Sequence, residues 1–278
     1  IPAELLTQLL AEANQVIGLD TAATNILVRI VENLADILTE NQHSAEIYAA
    51  GAVPEVYEKQ FHTSYLVIQR AIATLVKTWK PEGTLRILEV GAGIGSTTNY
   101  IVPMLPAERT QYVFTDISQY FLQSAQQSFA TYPFLETRLF DLEKSPQIQN
   151  YELHSFDIVI ASSVIHATRN IAETLAHVVS LLKPGGVLLF LEKTKYQASF
   201  DLTTGLQQGF DRFEDTDLRQ QHPLLSQDQW QQALLAAGFT ECQVLSQSDT
   251  IAQWLGLDVF LARGPATVQS IQPDYLKR

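Results

Sequence analysis

The sequence predicts an α/β fold with a seven-stranded, mostly parallel sheet and helices on both of its faces. Two observations predict this fold. Seven short apolar runs alternate with helical stretches from residue 85 onward, and a glycine-rich turn follows the first of these runs. Strands that alternate with helices build parallel sheets, because each crossover helix returns the chain to the edge where the strand began. A chain of 278 residues accommodates one such domain with a smaller addition.

The residues before the sheet predict a helical subdomain. Leucines recur at helical spacing within the first ten residues, and an aromatic stripe made of Tyr57, Phe61 and Tyr65 follows on one helical face. We expect this stripe to pack in a core, with contact to substrate as the alternative. The predicted parts of the chain are a helical lid and substrate subdomain at 1–80, the core at 81–264 and a C-terminal linker at 265–278.

The strands and helices of the core are predicted in order along the chain. The strands are expected at residues 85–90, 111–115, 135–139, 156–161, 187–192, 241–246 and 258–262. The main helices between them are expected at residues 97–104, 119–130, 171–182 and 227–237. Ser226 is a typical N-cap for the last of these helices, and Gly238 is a typical glycine at its C-terminal end.

The composition is acidic, with 30 Asp and Glu residues against 18 Lys and Arg residues and a net charge of −12. Nucleic acids and anionic membranes bind basic surfaces, so neither is an expected partner. The single cysteine, Cys242, fits a reducing, cytoplasmic location. No apolar run is long enough to span a bilayer. Because the N-terminus has neither a signal-type segment nor an initiator Met, we expect a piece of a longer chain.

The glycine-rich turn predicts a cofactor site. Gly91, Gly93 and Gly95 follow the first strand and precede a helix, where glycines let the backbone turn sharply and approach a ligand closely. The spacing differs from that of dinucleotide sites. Glu89 lies two residues before the first glycine, where its carboxylate would repel a pyrophosphate. The turn therefore favours a cationic ligand.

Two further carboxylates sharpen the prediction of the ligand. Asp116 ends the second strand about 20 residues after the turn, where ribose hydroxyls are usually held. Asp141 follows the third strand, where its carboxylate can accept from an adenine amino group. A ligand with adenine, ribose and a positive charge but no phosphate is S-adenosylmethionine. A tight turn without a ligand is the alternative, which the register of Glu89 and Asp116 disfavours.

These segments resemble a known family. The run 88–96, Asp116, Asp141, the strand at 156–161 and the Lys-Pro-Gly-Gly run at 183–186 resemble class I S-adenosylmethionine-dependent methyltransferases. Five more blocks resemble the methyltransferase domains embedded in modular polyketide synthases, and they lie at 106–110, 132–135, 165–169, 215–219 and 222–230. The resemblance covers residues 85–263 approximately and implies a Rossmann-like methyltransferase sheet.

The resemblance also implies ligands and partners. It adds cofactor contacts from Ile117, Leu142 and Ser162, with S-adenosylhomocysteine as the product. It implies an acyl carrier protein that holds the substrate on a phosphopantetheine arm, and neighbouring synthase domains in the parent polypeptide.

His166 and Glu192 are the candidate catalytic residues. His166 lies just beyond the fourth predicted strand and Glu192 ends the fifth, so both lie at the carboxyl edge of the sheet, where ligands bind. A histidine oriented by a carboxylate is a suitable general base near neutral pH, and the resemblance implies the same roles. The alternatives are a His166 that caps the next helix and a Glu192 that pairs with Lys193 or Arg169.

The sequence favours an oxygen acceptor. In carbon-methylating relatives we expect two tryptophans at the positions that Phe210 and the residue after it occupy here. Residues 57–65 also differ from the segment that we expect before the methyltransferase core of those relatives. The favoured function is an O-methyltransferase acting on a β-hydroxyl or enol oxygen of a carrier-bound polyketide. The candidate substrate contacts are Phe210 and, under the alternative given above for the aromatic stripe, Tyr57, Phe61 and Tyr65.

Three other functions are weighed beside O-methylation. One is C-methylation at the α-carbon of a β-ketoacyl intermediate with the same His–Glu pair. Another is an inactive domain with a structural role, which the intact glycines, Asp116, His166 and Glu192 disfavour. A metal-assisted O-methyltransferase is disfavoured because the sequence shows no clustered Asp and Asn set, so no metal is expected.

Overall fold

A computed structural model of the chain describes residues 32–33, 35–36, 39, 53–78, 83–197, 200, 205, 210, 212–245 and 251–267. Side chains are described from residue 60 in the first long helix and from residue 252 in the last helix. The leucine repeat in the first ten residues, most of the predicted lid and most of the predicted linker lie outside these residues. The boundaries of the lid and the linker therefore stay predictions.

The described residues form six α-helices and seven strands. The helices are α1 (Val53–Thr78), α2 (Ser96–Ile101), α3 (Gln119–Ser128), α4 (Ile171–Leu181), α5 (Gln227–Ala236) and α6 (Ile251–Leu255). The strands are β1 (Leu85–Val90), β2 (Thr110–Asp116), β3 (Leu135–Leu139), β4 (Phe156–Ser162), β5 (Leu182–Lys193), β6 (Glu241–Val244) and β7 (Leu257–Arg263).

The strands form one sheet in the order β3-β2-β1-β4-β5-β7-β6. Strands β1 to β5 are parallel, and β7 pairs antiparallel with both β5 and β6. The chain order reverses direction between β1 and β4, and ligands bind outside the carboxyl ends of parallel strands at such a point. This topology confirms the predicted seven-stranded, mostly parallel sheet and places the ends of β1, β2, β4 and β5 at one edge.

Apolar layers cover both faces of the sheet. On one face α1 packs Ile68 and Ile72, which are fully buried, against the strands. On the other face Trp230 of α5 lies with its ring centroid 5.3 Å from that of Phe190, which stacks on Phe260. Truncating a buried aromatic side chain of this kind typically costs about 3–5 kcal/mol. The two layers make the sheet a rigid platform for the loops at its carboxyl edge.

The predicted elements differ from the observed ones mainly at their ends. The helix expected at 97–104 divides into α2 and a 3-10 turn at Val102–Met104, because Pro103 lacks the N–H that an α-helix needs. Strand β5 begins five residues earlier than predicted, since Leu182 already pairs with Phe156 across a register shift. The predicted ends of α5 are confirmed: Ser226 forms a capping box with Gln229, and Gly238 follows at a φ of 96°.

Candidate active site

The glycine turn between β1 and α2 is packed on one side and open on another. Gly91 has a φ of 57°, and a Cβ added there would lie 2.3 Å from Val164 Cγ2. Gly93 has a φ of 55°, but a Cβ added there would meet no atom within 4 Å. Both backbones adopt the left-handed region that glycine tolerates best. The turn therefore closes onto the Val164 loop at Gly91 and leaves room for a ligand above Gly93.

Asp116 holds this turn in place from the end of β2. Its Oδ2 atom accepts from the backbone N–H of Gly93 at 2.9 Å, and its Oδ1 atom accepts from the N–H of Ser118 at 2.8 Å. The side chain is buried, whereas the neighbouring Ile117 is 68% exposed. An exposed isoleucine beside a carboxylate at a strand end offers the apolar and polar surfaces that a nucleoside needs.

Glu89 lies beneath the turn. It is buried, and its Oε2 atom accepts from Thr98 Oγ1 at 2.5 Å and from Tyr112 Oη at 2.7 Å. Desolvation by burial raises the pKa of Glu89 from 4.5 to about 7, although the two hydrogen bonds oppose this shift. Two protein hydroxyls already bind the carboxylate of Glu89. We therefore expect Glu89 to act on a cationic ligand through its charge rather than through a hydrogen bond.

Asp141 and Leu142 form the next part of the same edge. Asp141 Oδ1 accepts from the N–H of Glu143 at 3.0 Å, and Oδ2 lies 3.1 Å from Lys144 Nζ. Leu142 is buried, and its carbonyl oxygen lies 2.8 Å from Nδ1 of His177 on α4. His177 therefore anchors the Leu142 loop to α4.

The turn and its neighbours fit an adenosyl sulfonium. Asp116 and Asp141 supply negative charge along the edge, and Glu89 is partly ionised at neutral pH because its pKa is about 7. The open space above Gly93 lets a ligand approach the backbone. Ser162 ends β4 at the same edge, where its Oγ atom accepts from Thr97 Oγ1 at 2.8 Å. These residues would hold S-adenosylmethionine, with ribose at Asp116 and adenine toward Asp141 and Leu142.

His166 and Glu192 form a buried pair, as predicted. His166 Nδ1 lies 2.5 Å from Glu192 Oε2, and Glu192 Oε1 accepts from the backbone N–H of Ile165 at 2.9 Å. His166 is 4% exposed and Glu192 is fully buried. A carboxylate that accepts from Nδ1–H fixes the tautomer, so Nε2 is the nitrogen that can take up a proton. Nε2 is buried and has no hydrogen-bond partner among the described residues.

The alternatives considered for this pair do not match the geometry. His166 lies in a 3-10 turn (Ile165–Ala167), and the N-cap of α4 is Asn170, whose side chain accepts from Glu173 N–H. Arg169 pairs with Glu143 and Glu214 rather than with Glu192. Neither alternative therefore competes with the hydrogen bond between the His166 imidazole and the Glu192 carboxylate.

Arg219 holds the loop that carries His166, and sequence reasoning missed this role. Its side chain is fully buried, and Nη1 donates to the carbonyl oxygen of His166 at 2.8 Å. Nη2 donates to the carbonyl oxygens of Thr168 and Arg169, at 2.8 and 2.9 Å. Asp215, four residues earlier, accepts from Arg219 Nε at 2.5 Å. The i,i+4 spacing of Asp215 and Arg219 was the available signal, but it does not reveal which loop the pair holds.

Aromatic rings surround His166. The ring centroid of Phe210 lies 5.4 Å from that of His166, and that of Phe200 lies 6.2 Å from it. Phe61 and Tyr65 stack on each other in α1 and are buried in the layer between α1 and the sheet. The side chain of Tyr57 lies outside the described residues. Of the predicted substrate contacts, Phe210 is therefore the one that the structure brings next to His166.

None of the helices described in ranges 53–78, 83–197, 212–245 and 251–267 is long and apolar enough to cross a membrane. The same part of the chain contains no group of three or more His, Cys, Asp and Glu side chains arranged to hold a metal ion.

Comparisons with known proteins agree with this arrangement. A family model described as a methyltransferase domain matches residues 88–188. A highly reducing polyketide synthase of Pyrenophora dematioidea is 35% identical over 248 residues, which are 87% of this chain and 9% of that protein. The chain thus spans about a tenth of the length of such curated relatives.

Two solved structures resemble nearly the whole chain. The CurJ carbon methyltransferase is 31% identical, with a TM-score of 0.85, and the match covers 95% of this chain and 71% of that one. The CMeT domain of the citrinin polyketide synthase is 27% identical, with a TM-score of 0.81, and the match covers 93% and 68% of the two chains.

These relatives do not support the preference for an oxygen acceptor. The CurJ structure is described as a carbon methyltransferase and the citrinin domain as a CMeT domain, so the oxygen acceptor predicted from residues 57–65 and Phe210 finds no support among them.

The sheet order, the carboxylates around an open glycine turn and the buried His–Glu pair agree with the similarity to these domains. With 31% identity over 71% of a solved methyltransferase, the chain belongs to the S-adenosylmethionine-dependent methyltransferases, among the domains related to those of polyketide synthases.

Proposed function

We propose that this domain methylates carbon: it transfers the methyl group of S-adenosylmethionine to the α-carbon of a β-ketoacyl group. The acyl group would be held as a thioester on an acyl carrier protein, beside neighbouring domains of a polyketide synthase. The observation that carries the proposal is the buried His166–Glu192 pair with an unpartnered Nε2 atom. The two carbon methyltransferases among the relatives support the choice of acceptor.

The pair suits removal of a proton from carbon. A hydrogen between a ketone and a thioester is acidic enough for a histidine to remove. His166 Nε2, which no described residue binds, would take it up. Glu192 then faces an imidazolium, whose charge its carboxylate stabilises through Nδ1–H. The electron pair of the C–H bond passes to an enolate, whose α-carbon is the nucleophile.

The remaining residues position the reactants. S-Adenosylmethionine, when bound, supplies a methyl group on a sulfonium whose leaving thioether is neutral. Asp116 and the glycine turn would fix the nucleoside, while Phe200 and Phe210 exclude water from the ring of His166. Alignment and exclusion of water are the main tasks left to the protein, because the leaving group needs no acid.

The decisive experiment locates the transferred methyl group. The protein is incubated with trideuteromethyl-labelled S-adenosylmethionine and either a β-ketoacyl or a β-hydroxyacyl carrier protein, and the product is fragmented by mass spectrometry. Label on the α-carbon of the β-ketoacyl chain is expected. Label only on oxygen would contradict the proposal, and cofactor binding without transfer to either chain would favour a structural domain. His166→Ala should abolish transfer, and His154→Ala, which changes a histidine away from this site, should not.

A further inference from the structure

Lys193 is a cationic residue next to the candidate site. The proposed proton transfer to His166 does not involve it. It is the last residue of β5 and follows Glu192 directly. Successive side chains of a strand point to opposite faces, so Lys193 leaves the strand on the side opposite the His166–Glu192 pair. Its Nζ atom nevertheless lies 5.7 Å from the ring centroid of Phe200.

Phe200 connects Lys193 with the base. The phenyl ring is buried, and its centroid lies 6.2 Å from that of the His166 imidazole. One ring thus contacts both the ammonium and the imidazole. A cation over the face of an aromatic ring is attracted by its quadrupole, which holds the ammonium at the edge of the aromatic wall.

Among the residues that the structure describes, no carboxylate forms an ion pair with the Lys193 ammonium. The side chain is half-buried, and this burial lowers the pKa of Lys193 below its usual value of 10.5. Keeping a partly desolvated charge unpaired costs free energy. Such a cost is typical of a group whose partner is a ligand.

We propose that Lys193 binds the oxygen that becomes negatively charged when His166 removes the α-proton. This assignment rests on the proposed function. His166 Nε2 gains the proton, the C–H electron pair forms the carbon–carbon double bond of the enolate, and the carbonyl oxygen gains the negative charge. The Lys193 ammonium donates a hydrogen bond to that oxygen and keeps its three protons. It therefore stabilises the enolate without taking part in proton transfer.

A second anion in the same substrate is the phosphate of the phosphopantetheine arm. The buried Phe200 favours the enolate, because the same ring lies beside both the ammonium of Lys193 and the imidazole of His166, the proposed base. The phosphate lies at the far end of the arm from the thioester. A substrate that lacks the phosphate therefore tests which of the two anions Lys193 binds.

The experiment measures enolate formation without methyl transfer. The protein, saturated with S-adenosylhomocysteine, is mixed in D₂O with a β-ketoacyl N-acetylcysteamine thioester that carries no phosphate, and exchange of the α-hydrogen is followed by NMR. The catalysed rate is the measured exchange rate minus the uncatalysed rate. We expect Lys193→Met to lower this catalysed rate by roughly 10²–10³-fold, the typical effect of losing one oxyanion donor. Lys193→Arg should recover part of the rate. Lys195→Met is the matched control, because Lys195 Nζ donates to the backbone carbonyl of Gln253.

The outcomes distinguish the two proposals. Wild-type exchange with an unchanged Lys193→Met rate would overturn the assignment of Lys193 and leave the proposed function standing. An effect of Lys193→Met that appears only with the carrier-bound substrate would also overturn it, in favour of a phosphate contact. No exchange and no methylation by the wild-type protein would overturn the proposed function and the assignment with it. Affinity for S-adenosylhomocysteine, measured by calorimetry, should be equal in all variants and reports that they are folded.

Discussion

Arg219 binds the backbone of His166: its Nη1 atom donates to the His166 carbonyl oxygen at 2.8 Å, from a position 53 residues later in the chain. The same guanidinium binds two more carbonyl oxygens of the loop after β4. A planar group with several donors in fixed directions suits this task, and a lysine ammonium does not reproduce it. The position of the base is therefore set by a side chain outside the sheet.

Replacing Arg219 by lysine tests this relationship. We expect kcat to fall by about 10–100-fold, because a small displacement of a catalytic group has effects of this size. The free energy of unfolding should fall by about 1–3 kcal/mol, since at least one buried carbonyl loses its donor. The affinity for S-adenosylhomocysteine should not change. Arg169→Lys, a change in an exposed side chain of the same loop, should alter kcat by less than about twofold. An unchanged kcat in Arg219→Lys would show that the loop keeps its place without the guanidinium.

Glu192→Gln tests the tautomer of His166. The amide oxygen can still accept from Ile165 N–H, but the amide nitrogen would donate to His166 Nδ1 and so place the ring proton on Nε2. The atom that must take up a proton would then already carry one. We expect kcat to fall by about 10²–10⁴-fold with little change in the thermal unfolding midpoint. Methylation at the wild-type rate would show that Glu192 does not orient the base.

Gly91→Ala and Gly93→Ala should separate stability from cofactor affinity. At Gly91 the new methyl group collides with Val164, so we expect a loss of about 2–4 kcal/mol in the free energy of unfolding. At Gly93 the surroundings are open, so the loss should be about 1–2 kcal/mol, but the methyl group would enter the space above the turn and weaken cofactor binding. Urea unfolding and calorimetry measure the two effects.

Val164→Ala supplies the control for this pair. In the Gly91→Ala background it removes the methyl group at 2.3 Å but leaves the Val164 Cβ at 2.8 Å, so rescue of stability should be partial. Equal losses of stability in the two glycine variants would contradict the close approach of Gly91 to Val164.

Glu89 should make stability depend on pH. Its folded pKa of about 7 exceeds the value of 4.5 expected for the unfolded chain, so the folded state binds the proton more tightly. The stabilisation that Glu89 contributes is fully present below pH 4.5. It decreases as the pH rises to 7 and is lost above that pH, and the total decrease is about 3 kcal/mol. Glu89→Gln stays neutral, so its stability relative to wild type should improve by this amount between pH 4.5 and 7.5. Unfolding by urea at several pH values measures it, and the exposed Glu108→Gln should follow the wild-type curve.

The sheet was predictable because each of its strands is marked locally. Residues 158–161 of β4 and 187–191 of β5 are uninterrupted apolar runs. Asp116 and Glu192 come at the carboxyl ends of β2 and β5. Parallel topology then brings the strand ends together, so the meeting of His166 with Glu192 follows from pattern and topology alone.

The rest of the site depends on contacts that no local pattern encodes. The sequence does not tell that Arg219 reaches the His166 loop, since about 50 residues separate them. Nor does it tell that the hydroxyl groups of Thr98 and Tyr112 would bind the buried carboxylate of Glu89. The acceptor atom was predicted from Phe210, but one aromatic residue in place of another does not determine which atom of a substrate is methylated.

Strand β7 runs against β5 and thereby sets Glu192 opposite Asp258. Residues directly opposed in such a pair point to the same face, with Cβ atoms about 5 Å apart. Both carboxylates are buried, and Asp258 is bound by Thr194 Oγ1 and Gln227 Nε2. A proton taken up by the imidazole would therefore lie near two acidic side chains. One of them touches the ring, and the other is brought to the same face by the reversal of a strand.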